Sequence, residues 1–368
     1  MTAFQSMLAI GLMSGTSRDG IDAALIETDG EGHVVPVAFH AMAYAEGFRA
    51  RLAEACLRAM AMQAPGFEPL VRAVEEELTA LHVEAVADLL GRSGRQAEEI
   101  GVIGFHGHTV AHRPERGWTW QIGDGQALAG AFGIDVVGDL RSADVRAGGQ
   151  GAPLLPVYHR ALAHGLPKPV AVLNLGGVAN ITAIGSDGDL VAFDTGMASG
   201  LIDNWMQEAG ARPYDEGGAT AARGRVDEGR LAALLADPWF AVPPPKSIDR
   251  EVFTIDAVRG LGLEDGAATL TAFSAAAVAR ALDHLAERPA RIYVAGGGRH
   301  NATMMAMLAE RTGVEVRPVD ELGWDGDALE AQGFAYMAVR RLRDLPISFP
   351  GTTGAPTPMT GGVLFRPA

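Results

Sequence analysis

The sequence predicts an α/β protein of two lobes with a cleft between them, and three observations carry that prediction. The chain of 368 residues is longer than one average domain. Apolar runs of strand length alternate with longer helical patterns. One arrangement, a buried-type strand passing through a glycine-containing turn into a second strand, occurs twice. It reads LAIGLMSGTSRDGIDAALIE near the start and VAVLNLGGVANITAIG later, which suggests a duplicated lobe sharing pattern rather than sequence.

In the first series, strands are expected at Leu8 to Met13, Ala23 to Glu27, Val34 to Phe39, Val102 to Phe105 and Val136 to Val137. Between them, Leu52 to Met60 and Val71 to Leu90 are rich in Ala, Leu and Glu and read as helices, with Ala127 to Phe132 as a shorter one. A second series follows the Gly-rich segment Gly148 to Gly151. It has strands at Val170 to Leu175, Ile181 to Ile184 and Leu190 to Phe193, then a helix from about Ser199 to Gln207. Downstream come helices at Thr269 to Glu287, Ala302 to Arg311 and Ala328 to Leu342, with a strand at Arg291 to Ala295. Pro238 to Ile248 carries four prolines and reads as a loop, and Pro346 to Ala368 is Gly/Pro/Thr-rich without helical periodicity. The lobes are expected to comprise residues 1–137 with about 346–368, and residues 138–345, with no flexible linker between them.

Composition narrows the function classes. Apolar residues make up 48% and charged residues 20%, and the 47 glycines are spread along the chain, as in a folded enzyme rather than a disordered one. A formal charge of -15 disfavours nucleic acid or an anionic membrane as partner, so any phosphate must be held by backbone amides, a metal or a local cation. The single cysteine, Cys56, cannot form an intramolecular disulfide. The N-terminus lacks a basic signal region, and no run approaches a membrane span, so a cytoplasmic location is expected.

Two glycine turns could hold a nucleotide. Gly11 to Asp22 sets Ser14, Gly15, Thr16, Ser17, Asp19, Gly20 and Asp22 between two strands, where small residues let amides and hydroxyls approach a polyphosphate. It is not a Walker loop, because no Lys-Ser/Thr pair follows and no helix opens from it. Asp-Gly is itself a turn signal, so a tight hairpin accounts for the same residues. Gly296, Gly297 and Gly298 follow a strand and precede a helix that Asn301 could cap, which suits a nucleotide lying on backbone. Close helix–strand packing is the other account of that triplet, and Gly176-Gly177 strengthens the nucleotide reading.

Polar candidates cluster mid-chain. Asp139, Arg141, Asp144 and Gln150 lie at the end of a strand and in the loop after it, placed to orient a hydroxylated ligand. An Asp–Arg pair tying the loop together would use the same residues. Asp194 ends the apolar strand VAFD before Thr195-Gly196 and is the expected base. His106, His108 and His112 lack a fourth ligand of suitable spacing, so zinc is not expected. Met304, Met305 and Met307 read as helix core.

Taken together, IGLMSGTSRDGID, GFHGHTVAHRP, QIGDGQALA, GDLRSADVRAGGQGAPLLP, NLGGVANIT, FDTG, PKSIDREVF, VAGGGRHN, LEAQGFAYMA and the late TGA resemble the anhydro-N-acetylmuramic acid kinase family, a branch of the actin-like sugar kinases. The resemblance spans nearly the whole chain, and the set in this order is highly specific. It implies two lobes, each on a five-stranded RNase-H-like (actin-like ATPase) sheet, with ATP and sugar in the interdomain cleft. It also implies that ATP and Mg²⁺ serve to phosphorylate the sugar O6 while water opens the 1,6-anhydro bridge, in peptidoglycan recycling.

By position, the resemblance makes Asp194 the base that activates this water. Gly15, Thr16, Ser17, Arg18, Asp19, Gly20, Ile21 and Asp22 would wrap the phosphates, and Gly176, Gly177, Gly296, Gly297, Gly298 and Asn301 would flank the nucleotide. His106, Asp139, Arg141, Gln150 and Glu330 would position the sugar. A homodimer and domain closure are further family expectations. The chain departs from the family pattern at Met197-Ala198-Ser199 after FDTG, at Arg18 and at His108, changes that bear on affinity and substrate tolerance. Rival readings are a kinase of the same fold for another sugar, an actin-like ATPase, and a glycosidase using Asp194 and Glu330. The polar block Asp139 to Gln150 argues against the ATPase.

Overall fold

A computed structural model describes residues 5–248 and 252–368. Asp249 to Glu251 of the PKSIDREVF motif lie outside the described residues. In chain order the elements are β1 (Met7–Ser14), β2 (Gly20–Thr28), β3 (Val34–Ala43), α1 (Glu46–Ala61), α2 (Pro69–Ser93), β4 (Ile100–Arg113), β5 (Trp118–Ile122), α3 (Gly125–Phe132), β6 (Val136–Gly138), α4 (Ser142–Arg146) and α5 (Pro156–Leu162). Then come β7 (Val170–Leu175), β8 (Val178–Ile184), β9 (Leu190–Met197), α6 (Ser199–Gly210), α7 (Glu228–Leu235), α8 (Leu263–Ala281), β10 (Arg291–Ala295), α9 (Ala302–Thr312) and β11 (Glu315–Pro318). Last are α10 (Leu329–Leu342), α11 (Pro350–Thr353) and β12 (Val363–Phe365).

The chain forms two compact units, Met1–His164 with Ala328–Ala368, and Gly165–Asp327. In the first, the sheet order is β12-β6-β4-β1-β2-β3, with β5 paired to β4. β2 runs antiparallel to β1 and β3, while β4 is parallel to β1 and to β6. In the second the order is β11-β10-β7-β8-β9, again with an antiparallel hairpin of three strands followed by parallel partners. With β5 and β12 set aside, which make the first sheet seven-stranded rather than the expected five, both sheets read 3-2-1-4-5 with strand 2 reversed, which is the RNase-H-like order. The recurring strand–turn–strand pattern is thus the first hairpin of each sheet.

The unit boundaries differ from the expected ones at 137 and 345, and the reason is packing. α10 lies against β1 and β4 so closely that a Cβ on Gly11 would sit 1.8 Å from the Ala331 carbonyl and one on Gly104 2.0 Å from that of Phe334. Only glycine permits this approach. Tyr158 on α5 donates a buried 2.8 Å hydrogen bond to Gln332 on the same helix. These contacts commit α5 and α10 to the first sheet, and α4 joins it by packing on β5. The tail belongs there too, since β12 pairs antiparallel with β6.

Each sheet buries its own apolar core. Ile10, Leu12, Ile21 and Leu25 of the first hairpin pack with Leu52, Leu78 and Val86 of α1 and α2. Leu173, Ile181 and Phe193 of the second pack with Trp205 of α6 and Phe273 of α8. α8 starts at Leu263, six residues before the expected Thr269, because Glu264 and Asp265 supply the acidic first turn that the helix dipole favours. β4 runs on to Arg113 rather than stopping at Phe105 because β5 pairs with its second half.

Candidate active site

The turn between β1 and β2 is shaped by its own short-range bonds. The Arg18 N–H donates to the Gly15 carbonyl at 3.0 Å, and Arg18 takes the left-handed φ of 56°. Ser17 Oγ donates to Asp19 Oδ1 at 2.7 Å. Below the turn, Ser14 Oγ lies 2.9 Å from His108 Nδ1 and 2.7 Å from the Tyr44 hydroxyl. His108 therefore braces the turn from beneath, and burial pushes its pKa down to about 4, so it does so as a neutral ring. Of the residues expected to wrap phosphate, Ile21 is fully buried in the core and Gly20 is paired with Ala43 in the sheet. The segment whose backbone lies outside β1 and β2 is Gly15 to Asp19.

The expected sugar residues of the first unit are built around Arg141. His106 Nδ1 lies 2.8 Å from the Gly107 carbonyl and so carries the proton, which leaves Nε2 to accept from Arg141 Nε and Nη2 at 3.2 and 3.1 Å. Arg141 Nη1 donates to the Gly151 carbonyl at 2.7 Å. Burial, then the neighbouring guanidinium, holds His106 well below the usual imidazole range. Its ring nitrogens are thus engaged by the Gly107 carbonyl and the Arg141 guanidinium. Burial lowers Arg141 to about 10, against the pull of Glu330 and Asp144, so it remains a cation at neutral pH. Glu330, on the first turn of α10, is raised by burial, with Arg141 opposing and Asp19 adding to the rise. Arg141, Glu330 and Asp19 thus interact electrostatically, which links the polar cluster to the first turn.

Asp139 adopts a φ of 46°, a conformation costly for a non-glycine residue and found where a side chain must be aimed. With His106, Ser142, Arg146, Trp118 and Trp120 it lines a pocket of about 440 Å³. Asp144 has a different task. Its Oδ1 accepts from the Gly151 N–H at 2.7 Å and its Oδ2 from the Thr353 and Ser348 hydroxyls at 2.6 and 2.5 Å. The Gln150 N–H donates to the Thr353 carbonyl at 2.7 Å, so the Gly-rich loop is tied to α11 and Gln150 is presented from it.

In the second unit, Asp194 sits where β9 bulges against β8, between the pairs Ala179–Gly196 and Asn180–Asp194. Asp194 does not end the strand as expected, because β9 continues in pairing with β8 to Met197, and the bulge re-aims its side chain within the strand. Burial raises its carboxyl to about 7, partly offset by the Ile248 N–H donating to Oδ2 at 2.9 Å. The loop that carries Ile248 is itself pinned by Lys246. The Lys246 carbonyl accepts from the Asp194 N–H at 3.0 Å, and its ammonium donates to the Trp239 and Phe240 carbonyls at 3.3 and 3.2 Å. A carboxyl held near neutrality can take a proton at physiological pH.

The glycine turns of this unit divide in their roles. The Gly176 and Gly177 carbonyls accept from the amides of Ser199, Ala198 and Gly200, so they cap the start of α6. Ala198 and Ser199, where the chain departs from the family pattern, supply two of those amides. In the triplet after β10, a Cβ on Gly296 would lie 2.4 Å from Asn174 Oδ1 and one on Gly298 2.6 Å from Leu175 Cβ, so both are packing glycines. A Cβ on Gly297 would meet nothing within 4 Å, which leaves that face open. Asn301 caps α9, its Oδ1 accepting from the Met304 N–H at 2.9 Å.

Sequence reasoning missed Lys246, although its PKSI motif was in view, because nothing in a lysine among prolines shows that its ammonium folds back onto carbonyls. It missed the His108–Ser14 bond for the same reason, and Arg146 because a basic residue after an Asp-Val pair reads as surface.

Two RNase-H-like units, one with a hydroxyl- and glycine-rich hairpin turn beside an Arg–Glu–Asp cluster, the other with a near-neutral carboxyl at a β-bulge, define the class of actin-like ATPases and sugar kinases. Residues 7–367 match the family model for anhydro-N-acetylmuramic acid kinase. The chain is 61% identical over 362 residues to the anhydro-N-acetylmuramic acid kinase of Rhizorhabdus wittichii, covering 98% of this chain and 99% of the relative. It is 55% identical to that of Zymomonas mobilis, over 97% of this chain and 99% of the relative. With that of Methylobacterium nodulans it shares 52% identity over 98% and 100% of the two chains. The chain belongs to the anhydro-N-acetylmuramic acid kinase family.

Proposed function

We propose that the protein transfers the γ-phosphoryl group of ATP to O6 of 1,6-anhydro-N-acetylmuramic acid while water opens the anhydro bridge, giving N-acetylmuramic acid 6-phosphate for peptidoglycan recycling. The observation that carries the coupled chemistry is Asp194, a carboxylate raised to about 7 that accepts from the Ile248 amide. Asp194 takes a proton from water, and the water oxygen bonds to C1. The C1–O6 bond breaks, and O6 forms its new bond to the γ-phosphorus as ADP leaves. Because the departing oxygen is captured as a phosphate ester, no acid is needed to protonate it.

The first unit supplies sugar recognition in this reading. Arg141 and Glu330 offer a donor and an acceptor, Asp139 and Gln150 flank them, and His106 fixes the guanidinium. Gly15, Thr16, Ser17, Arg18 and Asp19 hold the phosphates, with the flanks of the turn, Gly20 to Asp22, serving as sheet anchors. Gly297 offers its open face to the nucleotide, while Gly176, Gly177, Gly296, Gly298 and Asn301 shape the surrounding backbone. Mg²⁺ in such sites takes one or two carboxylates together with phosphate oxygens and water, and Asp19 fits that requirement. When bound, the ion neutralises phosphate charge. Among the described residues no helix is long and apolar enough to cross a membrane. A cytoplasmic homodimer is part of the same proposal and is checked by fractionation and light scattering.

The test is ATP consumption with Mg²⁺ and the anhydro-sugar, run in ¹⁸O-water, with products identified by mass. The expected product gains one phosphoryl group and one water, with the label on the C1 hydroxyl. A product that gains the phosphoryl group alone would separate kinase activity from ring opening and remove Asp194 from the mechanism.

A further inference from the structure

The pocket of about 440 Å³ in the first unit takes two of the five expected sugar residues into its lining. His106 and Asp139 line it, but so do Arg146, Trp118 and Trp120. α4 explains how Arg146 comes to be there. Ser142 and Arg146, four residues apart on one helix face, line the pocket, while Asp144 and Val145 are buried in the fold. The two arginines at the ends of this segment are used differently. Arg141 is bonded to His106 and Gly151, whereas Arg146 is exposed and, among the described residues, has no hydrogen-bond or ion-pair partner.

A pocket lined by both Asp139 and an uncommitted guanidinium suits a ligand that offers hydroxyls to one and an anion to the other. A neutral amino sugar has no group for the second. A muramic acid does, because its O3 carries a lactyl ether ending in a carboxylate. Resting on the kinase reading above, the geometry points to Arg146 as the residue that recognises the lactyl carboxylate, with the Trp118 and Trp120 rings covering the apolar part of that substituent. Arg146 is then a specificity determinant that separates muramic acid from glucosamine-type anhydro-sugars. It takes no part in water activation or phosphoryl transfer.

The experiment measures kcat/KM of wild type, Arg146→Gln and Arg146→Lys on 1,6-anhydro-N-acetylmuramic acid, its lactyl methyl ester and 1,6-anhydro-N-acetylglucosamine. The expected result is that Arg146→Gln lowers the preference for the acid over the ester by about tenfold, the scale of one charge-assisted contact. The loss should appear in KM, with Arg146→Lys restoring part of it. Added salt should erode the wild-type preference, since the guanidinium is exposed. An acid-to-ester preference that is equal in wild type and Arg146→Gln overturns the assignment while leaving the kinase reading intact. A wild type that consumes ATP with none of the three sugars overturns the kinase reading itself, and the assignment with it.

Discussion

Asp144 and Asp194 are both carboxylates drawn into the fold, one in each unit, yet they are built for opposite ends. Asp144 accepts three hydrogen bonds, from the Gly151 amide and from the Ser348 and Thr353 hydroxyls. Among the described residues, Asp194 accepts from the Ile248 amide alone, and burial lifts it to about 7. In the proposed reading, the number of donors among the described residues separates an anchor from a base. A carboxylate surrounded by donors has its lone pairs spent, whereas one with a single donor keeps a lone pair for a proton.

The largest effect should come from the sparsely bonded member. Asp194→Asn preserves shape and can still accept from Ile248, but it cannot take a proton, so kcat should fall about 10² to 10⁴-fold. Sugar and nucleotide binding, followed by calorimetry, should stay close to wild type. Near-wild-type turnover would show that the contrast between the two carboxylates has no catalytic meaning.

The richly bonded member should fail differently. Asp144→Ala strips three donors of their acceptor and should cost about 2–4 kcal/mol of stability, read from urea titration. Any loss of activity should follow from a displaced Gln150 and Arg141, hence appear first in the KM for sugar. If Asp144→Ala left stability unchanged and abolished kcat, the roles of the two residues would have to be exchanged.

Much of this contrast lies beyond the reach of sequence. Alternation of apolar residues made β1, β2 and β7 to β9 legible, and a carboxylate closing an apolar strand pointed to Asp194. The donors around Asp144 were not legible, because Ser348 and Thr353 lie some two hundred positions away and meet it only through packing. β12 was unreadable as a strand because its three residues, in a Gly- and Pro-rich tail, become one only by pairing with β6. β11 ends in a proline and is only partly buried, which hides its apolar signal. The pattern of α10 declared a helix but not its sheet, and Gly11 and Gly104 decide that from outside the helix. The bonds of His106 to the Gly107 carbonyl and to Arg141 were likewise not legible, because strand spacing shows neither partner.

A titration sharpens the comparison further. The base must be ionised, so kcat/KM should rise with pH through about 7 and level off above it, falling about tenfold per unit on the acid side. A limb near the ordinary Asp range would mean that Asp194 is less desolvated in the working enzyme than burial here implies.

The smallest expected effect concerns the Ile248 amide, the donor to Asp194 among the described residues. Lys246 holds that donor in place by bonding the Trp239 and Phe240 carbonyls, and its ammonium also lies 4.3 Å from the Trp239 ring centre. Lys246→Met keeps the length of the side chain but removes those bonds. The Ile248 amide is the influence that lowers Asp194 against its burial, so loosening the loop should move the acid limb upward. A shift of about half a unit would cost about threefold in kcat/KM below pH 7 and little at pH 9. A loop that merely stabilised the fold would instead lower activity evenly across the whole pH range. The displacement of the limb, rather than the loss of rate, is therefore what would establish Lys246 as a positioning residue for the base.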